Sequence, residues 1–292
     1  MTSCPVCSGT LARGLAEWHR TCLGCGFEAS TLEPRIDADA GEHDLDEQGR
    51  ETALRTLRRR NFETILDRVL PLSEAGRPIL EVGSAHGWFL ELCAERGVAA
   101  VGIEPDSPIA EATVRVGLPV RCGLFPDVLR AGETFGAIVF NDVFEHLPDV
   151  SGALAACVRH LDPDGLLVIN LPCSSGVFYR TSKLLARWGL PASFERMWQK
   201  GFPSPHLSYF SADGLREVCR QNRFDEIVRM RLPSLVLEGL WERIRFGGSG
   251  AIVVDGLKWG VLAAGRPVLD QLPADISLQV FRLLPPRTSE VA

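Results

Sequence analysis

The chain has no run of about 18 apolar residues free of charge; the nearest, Ala251 to Ala264, is broken by Asp255 and Lys258, so no segment should span a membrane. No secretory-type leader precedes the first cysteine pair, which points to a reducing, cytoplasmic setting. Basic residues are in short supply, 31 Lys and Arg against 37 Asp and Glu, a net charge of 31 − 37 = −6. The first thirty residues offer only Arg13, Arg20 and His19 as cations. That is a poor surface for gripping phosphates and disfavours a nucleic-acid partner. Also missing is a G-x-G-x-x-G turn, the phosphate cradle of a dinucleotide site.

At 292 residues the chain exceeds a typical single domain, and one large domain with a small appendage is the natural division. With 46% hydrophobic and 23% charged residues it is neither disordered nor fibrous. Four of its nine cysteines crowd into the first 25 residues. Cys4-x2-Cys7 and Cys22-x2-Cys25 form two C-x2-C pairs that can supply four thiolates in a tetrahedron, the pattern of a structural zinc site. Gly24 and Gly26 suit tight knuckle turns, and residues 11–20 can form a hairpin between the pairs. Two disulfides or free thiols, the other reading, fit neither the spacing nor a reducing compartment. Four thiolates leave no open coordination position, and the metal would supply most of the folding energy of so small a unit. The remaining Cys93, Cys122, Cys157, Cys173 and Cys219 read as small core residues.

Residues 1–30 are thus expected to form a zinc ribbon, 31–49 an acidic linker, and 50–292 the main domain. Its first helix follows from the apolar stripe between Arg50 and Leu70, which ends at Pro71. The basic run Arg58-Arg59-Arg60 reads as a solvated face of that helix rather than a nucleic-acid contact.

Pro78 to Val82 is a short apolar run, Gly83-Ser-Ala-His-Gly87 a glycine turn, and Trp88 onward a helical pattern. A glycine turn without a phosphate cradle suits a bulky cofactor lacking phosphate, such as S-adenosylmethionine, better than NAD. Ala99 to Glu104 reads as a second strand, ending in an acid positioned to accept both hydroxyls of a ribose; Glu104 could instead cap the helix that starts near Ser107. Further strands are expected at Pro119–Cys122, Gly136–Phe140 and Gly165–Leu171, with a helix at Ser151–Leu161. Strands alternating with helices specify an α/β, Rossmann-like doubly wound sheet with its ligand over the carboxyl ends of the strands.

Four segments in order, Leu80 to Gly87, Gly102 to Asp106, Asn141 to Asp149 and Leu161 to Pro172, resemble class I S-adenosylmethionine-dependent methyltransferases, over roughly residue 50 to the end. The resemblance implies that Glu81, Gly83 and Gly87 line the methionine part of the cofactor, Glu104 the ribose and Leu124 the adenine. Asp142 and Val143 would sit beside the transferable methyl, and Ser84 and Asn141 belong to the same cofactor-binding set. The family's Pro-Gly-Gly turn is here Pro163-Asp164-Gly165, a change that a turn should tolerate.

Residues 174–205 resemble the substrate cap that small-molecule members insert after the fifth strand. Its aromatic residues, Tyr179, Phe194 and Trp198 among them, have near-helical spacing, which favours core over ligand cage. A helix at Ala212–Gln221 and a strand at Glu226–Arg231 follow, and Leu278–Leu284 is expected as a last, antiparallel strand. Residues 235–264 should form two short helices packed on the core; an apolar lip making peripheral membrane contact stays open.

The acidic balance and the aromatic cap favour a small-molecule or glycan-precursor acceptor for O-, N- or C-methylation. A ribosomal RNA methyltransferase and a non-catalytic cofactor-binding scaffold are the alternatives. If a general base is used, His146 is the first candidate and His206 the second, followed by Tyr209 and Tyr179.

Overall fold

The computed structural model describes residues 3–35, 47–234, 240–247, 252–269, 271–273 and 275–285. The first of these holds three short strands, β1 (Leu11–Arg13), β2 (His19–Cys22) and β3 (Glu28–Ser30). Next comes α1 (Glu47–Val69), which starts inside the segment expected to be linker; residues 36–46 of that segment lie outside the described residues. Alternation then sets in with β4 (Ile79–Val82), α2 (Trp88–Glu95), β5 (Ala100–Glu104), α3 (Ser107–Arg115), β6 (Val120–Cys122), β7 (Phe135–Asn141) and α4 (Val150–His160). The chain continues through β8 (Leu161–Pro172), α5 (Val177–Arg187), α6 (Ala192–Met197), β9 (Ser208–Tyr209) and α7 (Ala212–Gln221). It closes with β10 (Phe224–Leu232), α8 (Leu240–Gly247), α9 (Ile252–Leu269) and β11 (Ile276–Leu283).

Seven strands form one sheet in the order β10-β11-β8-β7-β4-β5-β6. The run from β8 to β6 is parallel, and β11 is antiparallel to both β8 and β10. This is the expected Rossmann-like sheet with its last strand reversed. Every residue of β4 and β7 is buried, as strands covered by helices on both faces must be. Side-chain caps start three helices: Asp106 accepts from the Ile109 amide, Asp149 from Gly152 and Ser211 from Gly214. The cap of α3 is therefore Asp106, which leaves the carboxylate of Glu104 for other work. Asp164 adopts φ +60°, a left-handed position that Asp tolerates better than most side chains, so the turn before β8 keeps its shape without a second glycine.

Cys93, Cys157, Cys173 and Cys219 are buried as expected, whereas Cys122 is exposed, because β6 is the edge of the sheet. On α9, Ile252, Leu257, Trp259 and Val261 are exposed, so these four do not pack as core; the side chains of Val254 and Leu262 lie outside the described residues, and a nearly continuous apolar run does not fix which helix face turns inward. No helix among the described residues is long and apolar enough to cross a membrane.

The small N-terminal sheet has the order β1-β2-β3-β9, its fourth strand coming from residues 208–209. Cys4, Val6, Cys22, Phe27 and Ala29 share a buried apolar cluster with β7, β8 and α7. A second cluster joins Trp18 of the N-terminal hairpin to Tyr179, Phe194, Trp198 and Tyr209. The cap aromatics thus pack as core against the ribbon, with Trp198 and Phe194 at most 1% exposed.

Candidate functional site

The carboxyl ends of β4, β5 and β7 converge on the glycine turn. Gly83 has φ +73°, and a Cβ there would lie 2.4 Å from Val143. Gly87 has φ +76°, and its Cβ would meet Leu118 and Thr113 within 3 Å. Glycine is required at both positions by conformation and by close packing. Beside the turn, Glu81 accepts a hydrogen bond from Asn141 Nδ2 at 2.9 Å, and Asn170 Nδ2 reaches Asn141 Oδ1 at 3.4 Å. The second oxygen of Glu81 and the hydroxyl of Ser84 are buried without a protein partner. Burial, with the nearby negative charge of Glu104, pushes the Glu81 carboxyl up to about 8.

Glu104 is 7% exposed and pinned by two backbone amides, Ala85 to Oε2 at 2.8 Å and Asp106 to Oε1 at 3.0 Å. Burial also raises its carboxyl above the usual range. Each oxygen keeps a further lone pair for a donor from a ligand. Leu124 is 51% exposed on the loop after β6. Orphaned buried oxygens at Glu81 and Ser84, a second pinned carboxylate and an exposed apolar side chain fit a ligand with an ammonium, vicinal hydroxyls and a flat ring, which is the chemistry of S-adenosylmethionine.

Asp142 follows β7 at φ +54° and faces Arg58 of α1 at 3.6 Å. Arg58 was hidden in a basic run that looked solvated; Arg59 likewise pairs with Glu91 and Glu95 on α2. A helical wheel drawn without the neighbouring strands cannot show such partners.

The 3-10 turn Phe144–His146 brings the two candidate histidines together, with ring centroids 4.7 Å apart. His146 Nδ1 donates to the Pro205 carbonyl at 2.9 Å, which places the imidazole lone pair on Nε2. The Nε2 atoms of His146 and His206 lie 4.0 and 3.9 Å from Glu145 Oε1. Glu145 is the acid that sequence reasoning passed over, although it adjoins His146 in the quoted motif. Burial and the charge of Asp142 raise its carboxyl well above the usual range, and burial and His146 hold His206 well below its usual value. One ligand atom from each of the three residues lies within 4.8 Å of the others, a spacing that one divalent cation can bridge. Tyr209 is near, 5.4 Å from His206 between ring centroids, but its hydroxyl donates to the Met197 carbonyl and the residue is 2% exposed.

The family model described as methyltransferase domain matches residues 54–227, 174 of the 292 residues. The chain belongs to this methyltransferase family.

Among relatives of this methyltransferase, the ubiquinone biosynthesis O-methyltransferase of Rhizobium rhizogenes is 27% identical over 160 residues, 51% of this chain and 64% of that one. The human mitochondrial protein of the same name is 32% identical over 143 residues, 43% of this chain and 39% of its own. The chain thus spans between about two fifths and two thirds of the length of these curated relatives. Two solved structures share the fold. A chain of the Haloferax volcanii complex of the Trm112 methyltransferase activator with a methyltransferase superposes with a TM-score of 0.56 at 14% identity, covering 83% of this chain and 97% of that one. A Thermotoga maritima S-adenosylmethionine-dependent methyltransferase gives 0.53 at 15%, covering 82% and 95%.

At the N-terminus all four sulfurs lie within 4.8 Å of one another, with Cys4 to Cys25 at 3.5 Å and Cys7 to Cys22 at 3.4 Å. Those separations are far beyond a disulfide bond of about 2 Å. They approach the edge, about 3.8 Å, of a tetrahedron built on zinc–sulfur bonds of about 2.3 Å. Backbone amides hold the Cys22 thiol down to about 6, whereas burial pushes the Cys4 and Cys25 thiols up.

Proposed function

We propose that this methyltransferase moves the methyl group of S-adenosylmethionine to an oxygen, nitrogen or carbon of a small molecule or glycan precursor. The observation that carries the reading is the Glu145–His146–His206 cluster at the turn that follows β7, the strand whose last residue, Asn141, holds Glu81. The bound cofactor supplies an electrophilic methyl on a sulfonium. The protein orients, excludes water and takes a proton where the acceptor needs it. Glu81, with Ser84, holds the methionine ammonium, and Glu104 the ribose hydroxyls. Leu124 provides the edge for adenine. Gly83 and Gly87 line the methionine part with Glu81, Asn141 belongs to the same cofactor-binding set, and Asp142 and Val143 sit beside the methyl. His146 is the base of first choice and His206 the second; Tyr209, with its hydroxyl engaged, supports His206.

On the outer face of α5 a groove of about 700 Å³ is lined by Arg180, Lys183, Arg187, Ser174, Thr181 and Leu184. Arg180 and Arg187 make no ion pair among the described residues. In a chain of net charge −6, this basic groove with an apolar lip supports an anionic acceptor, such as a sugar carried on a phosphate or diphosphate. Screening nucleotide sugars, sugar phosphates and neutral phenols with radiolabelled cofactor tests it. The expected result is label on a phosphorylated acceptor, with KM for that acceptor raised about tenfold or more in an Arg180→Ala/Arg187→Ala variant. Equal turnover of uncharged analogues would discard the anion requirement.

The four-thiol cluster is read as a closed structural zinc site. Protein prepared without chelator is expected to carry one zinc per chain by elemental analysis, lost in a Cys4→Ser/Cys22→Ser variant. Metal-free protein whose thiols disappear pairwise on oxidation would overturn this reading.

A further inference from the structure

We infer that the ribbon is a working part of the acceptor site: its third strand positions His206 and braces α5, so that the state of the four-thiol centre governs methyl transfer without touching the cofactor pocket. The inference rests on the reading of His146 and His206 as the acceptor-side pair.

Strand β3 lies between β2, which ends at Cys22, and β9, with Glu28 opposite Tyr209 and Ala29 opposite Ser208. Just past that pairing, Ser30 grips the chain at two places. Its amide donates to the Leu207 carbonyl at 3.0 Å, and its hydroxyl to the His206 carbonyl at 2.7 Å. On the other side the Leu207 amide donates to the Glu145 carbonyl at 2.8 Å. The backbone that carries His206 is thus clamped between the ribbon and the loop that carries Glu145 and His146. A two-residue strand such as β9 has little pairing of its own and depends on this neighbour for its position.

Glu28 makes the second connection. Its buried carboxylate accepts from His19 Nε2 at 2.8 Å, from the Tyr179 hydroxyl at 2.9 Å and from Lys183 Nζ at 2.7 Å. The Leu15 amide donates to His19 Nδ1, which places the ring proton on Nε2, toward Glu28. Burial opposes the charge, but the His19 and Lys183 hydrogen bonds outweigh it and hold the Glu28 carboxyl below its usual value. Lys183 and Tyr179 both belong to α5, so one ribbon side chain sets the angle of the helix that carries the basic groove. Aromatic contacts run the same way: Trp18 stacks on Phe194, His19 meets Trp198, Trp198 meets Tyr209, and Tyr209 meets His206. Glu81, Glu104 and Asn141, by contrast, draw none of their hydrogen bonds from the ribbon. The thiol centre closes the open end of the β1–β2 hairpin, so loss of an ion held there would free that end and loosen β3 through its pairing with β2.

The test pairs Ser30→Ala with Ser30→Thr in the full-length protein and adds zinc-stripped, reduced wild type. Three readouts need no acceptor: amide hydrogen exchange over residues 204–211, the His206 imidazole Cε1–H NMR signal, and calorimetric affinity for S-adenosylhomocysteine. Ser30→Ala is expected to raise exchange at Leu207–Tyr209 about fivefold or more and to shift the His206 signal, while affinity changes less than twofold. Ser30→Thr, which keeps the hydroxyl, should restore both. Zinc removal should produce the Ala pattern more strongly. With an acceptor in hand, kcat should fall in Ser30→Ala while KM for the cofactor holds. Unchanged exchange and an unmoved His206 signal in Ser30→Ala overturn the positioning role, even where zinc stripping unfolds the chain. Protein whose residues 204–211 stay protected after zinc loss overturns the control by the thiol centre. Failure of the acceptor-side reading itself would appear separately, as full turnover in His146 and His206 variants.

Discussion

Turnover of a His146→Asn variant is expected to fall by about 100-fold or more, the loss typical of a missing general base, with cofactor affinity unchanged. Asparagine is the informative choice because His146 has two edges with different tasks. Its Nδ1 donates to the Pro205 carbonyl at 2.9 Å and ties the loop after β7 to the exit of the cap. Its Nε2 points toward Glu145 and His206. The asparagine amide can imitate the Nδ1 donor but offers no basic nitrogen at the Nε2 position. A His146→Ala variant removes both edges, so the difference between the two variants measures the tether. If Asn retains activity within a few fold, His146 is a tether only and His206 becomes the base. Wild-type turnover that rises with an added divalent transition-metal ion would instead assign the Glu145–His146–His206 spacing to a bridged cation.

What the sequence made legible follows from how each element is buried. Strands β4, β5, β7 and β8 read as apolar runs because helices cover both sheet faces, and their observed ends differ from expectation by a few residues at most. The four-cysteine cluster was legible because its two C-x2-C pairs form a local, fixed-spacing pattern. The union of the ribbon with the main domain was not. Strand β3 has three residues and β9 two, too short for any periodicity, and they lie about 180 residues apart in sequence. For the same reason Glu28 drew no notice: nothing local tells a surface glutamate from one that gathers a histidine, a tyrosine and a lysine. His206 was found as a residue type near a motif. Its meaning came only from Glu145 and Ser30, which the fold brings to it from two different directions.

Binding of S-adenosylmethionine at pH 7 is expected to release close to one proton, with affinity that climbs about tenfold per pH unit on the acid side of about pH 8. The reasoning starts from Glu81, whose carboxyl burial raises to about 8 and whose second oxygen has no protein partner. The cofactor-free carboxyl is therefore mostly protonated at neutral pH. An ammonium placed against that oxygen favours the charged form, so binding must expel the proton. Above about pH 8 the ligand's own amino group deprotonates, affinity stops rising, and the proton balance turns to uptake. The sign for stability is the reverse. With a folded pKa above the unfolded value near 4.5, Glu81 stabilises the cofactor-free fold most at low pH, and this contribution is lost as pH rises through about 8. Calorimetry in buffers of different ionisation enthalpy, at pH 6.5 and 9.5, reads the proton count directly. A Glu81→Gln variant should abolish the release and flatten the pH dependence. Glu104→Ala should act differently, costing about 2 to 4 kcal/mol of affinity, or about 30- to 1000-fold, at every pH, because two charge-assisted hydrogen bonds to the ribose are removed. A wild-type proton count of zero at pH 6.5 would remove Glu81 from the ammonium site, and a Glu104→Ala variant of unchanged affinity would remove Glu104 from the ribose.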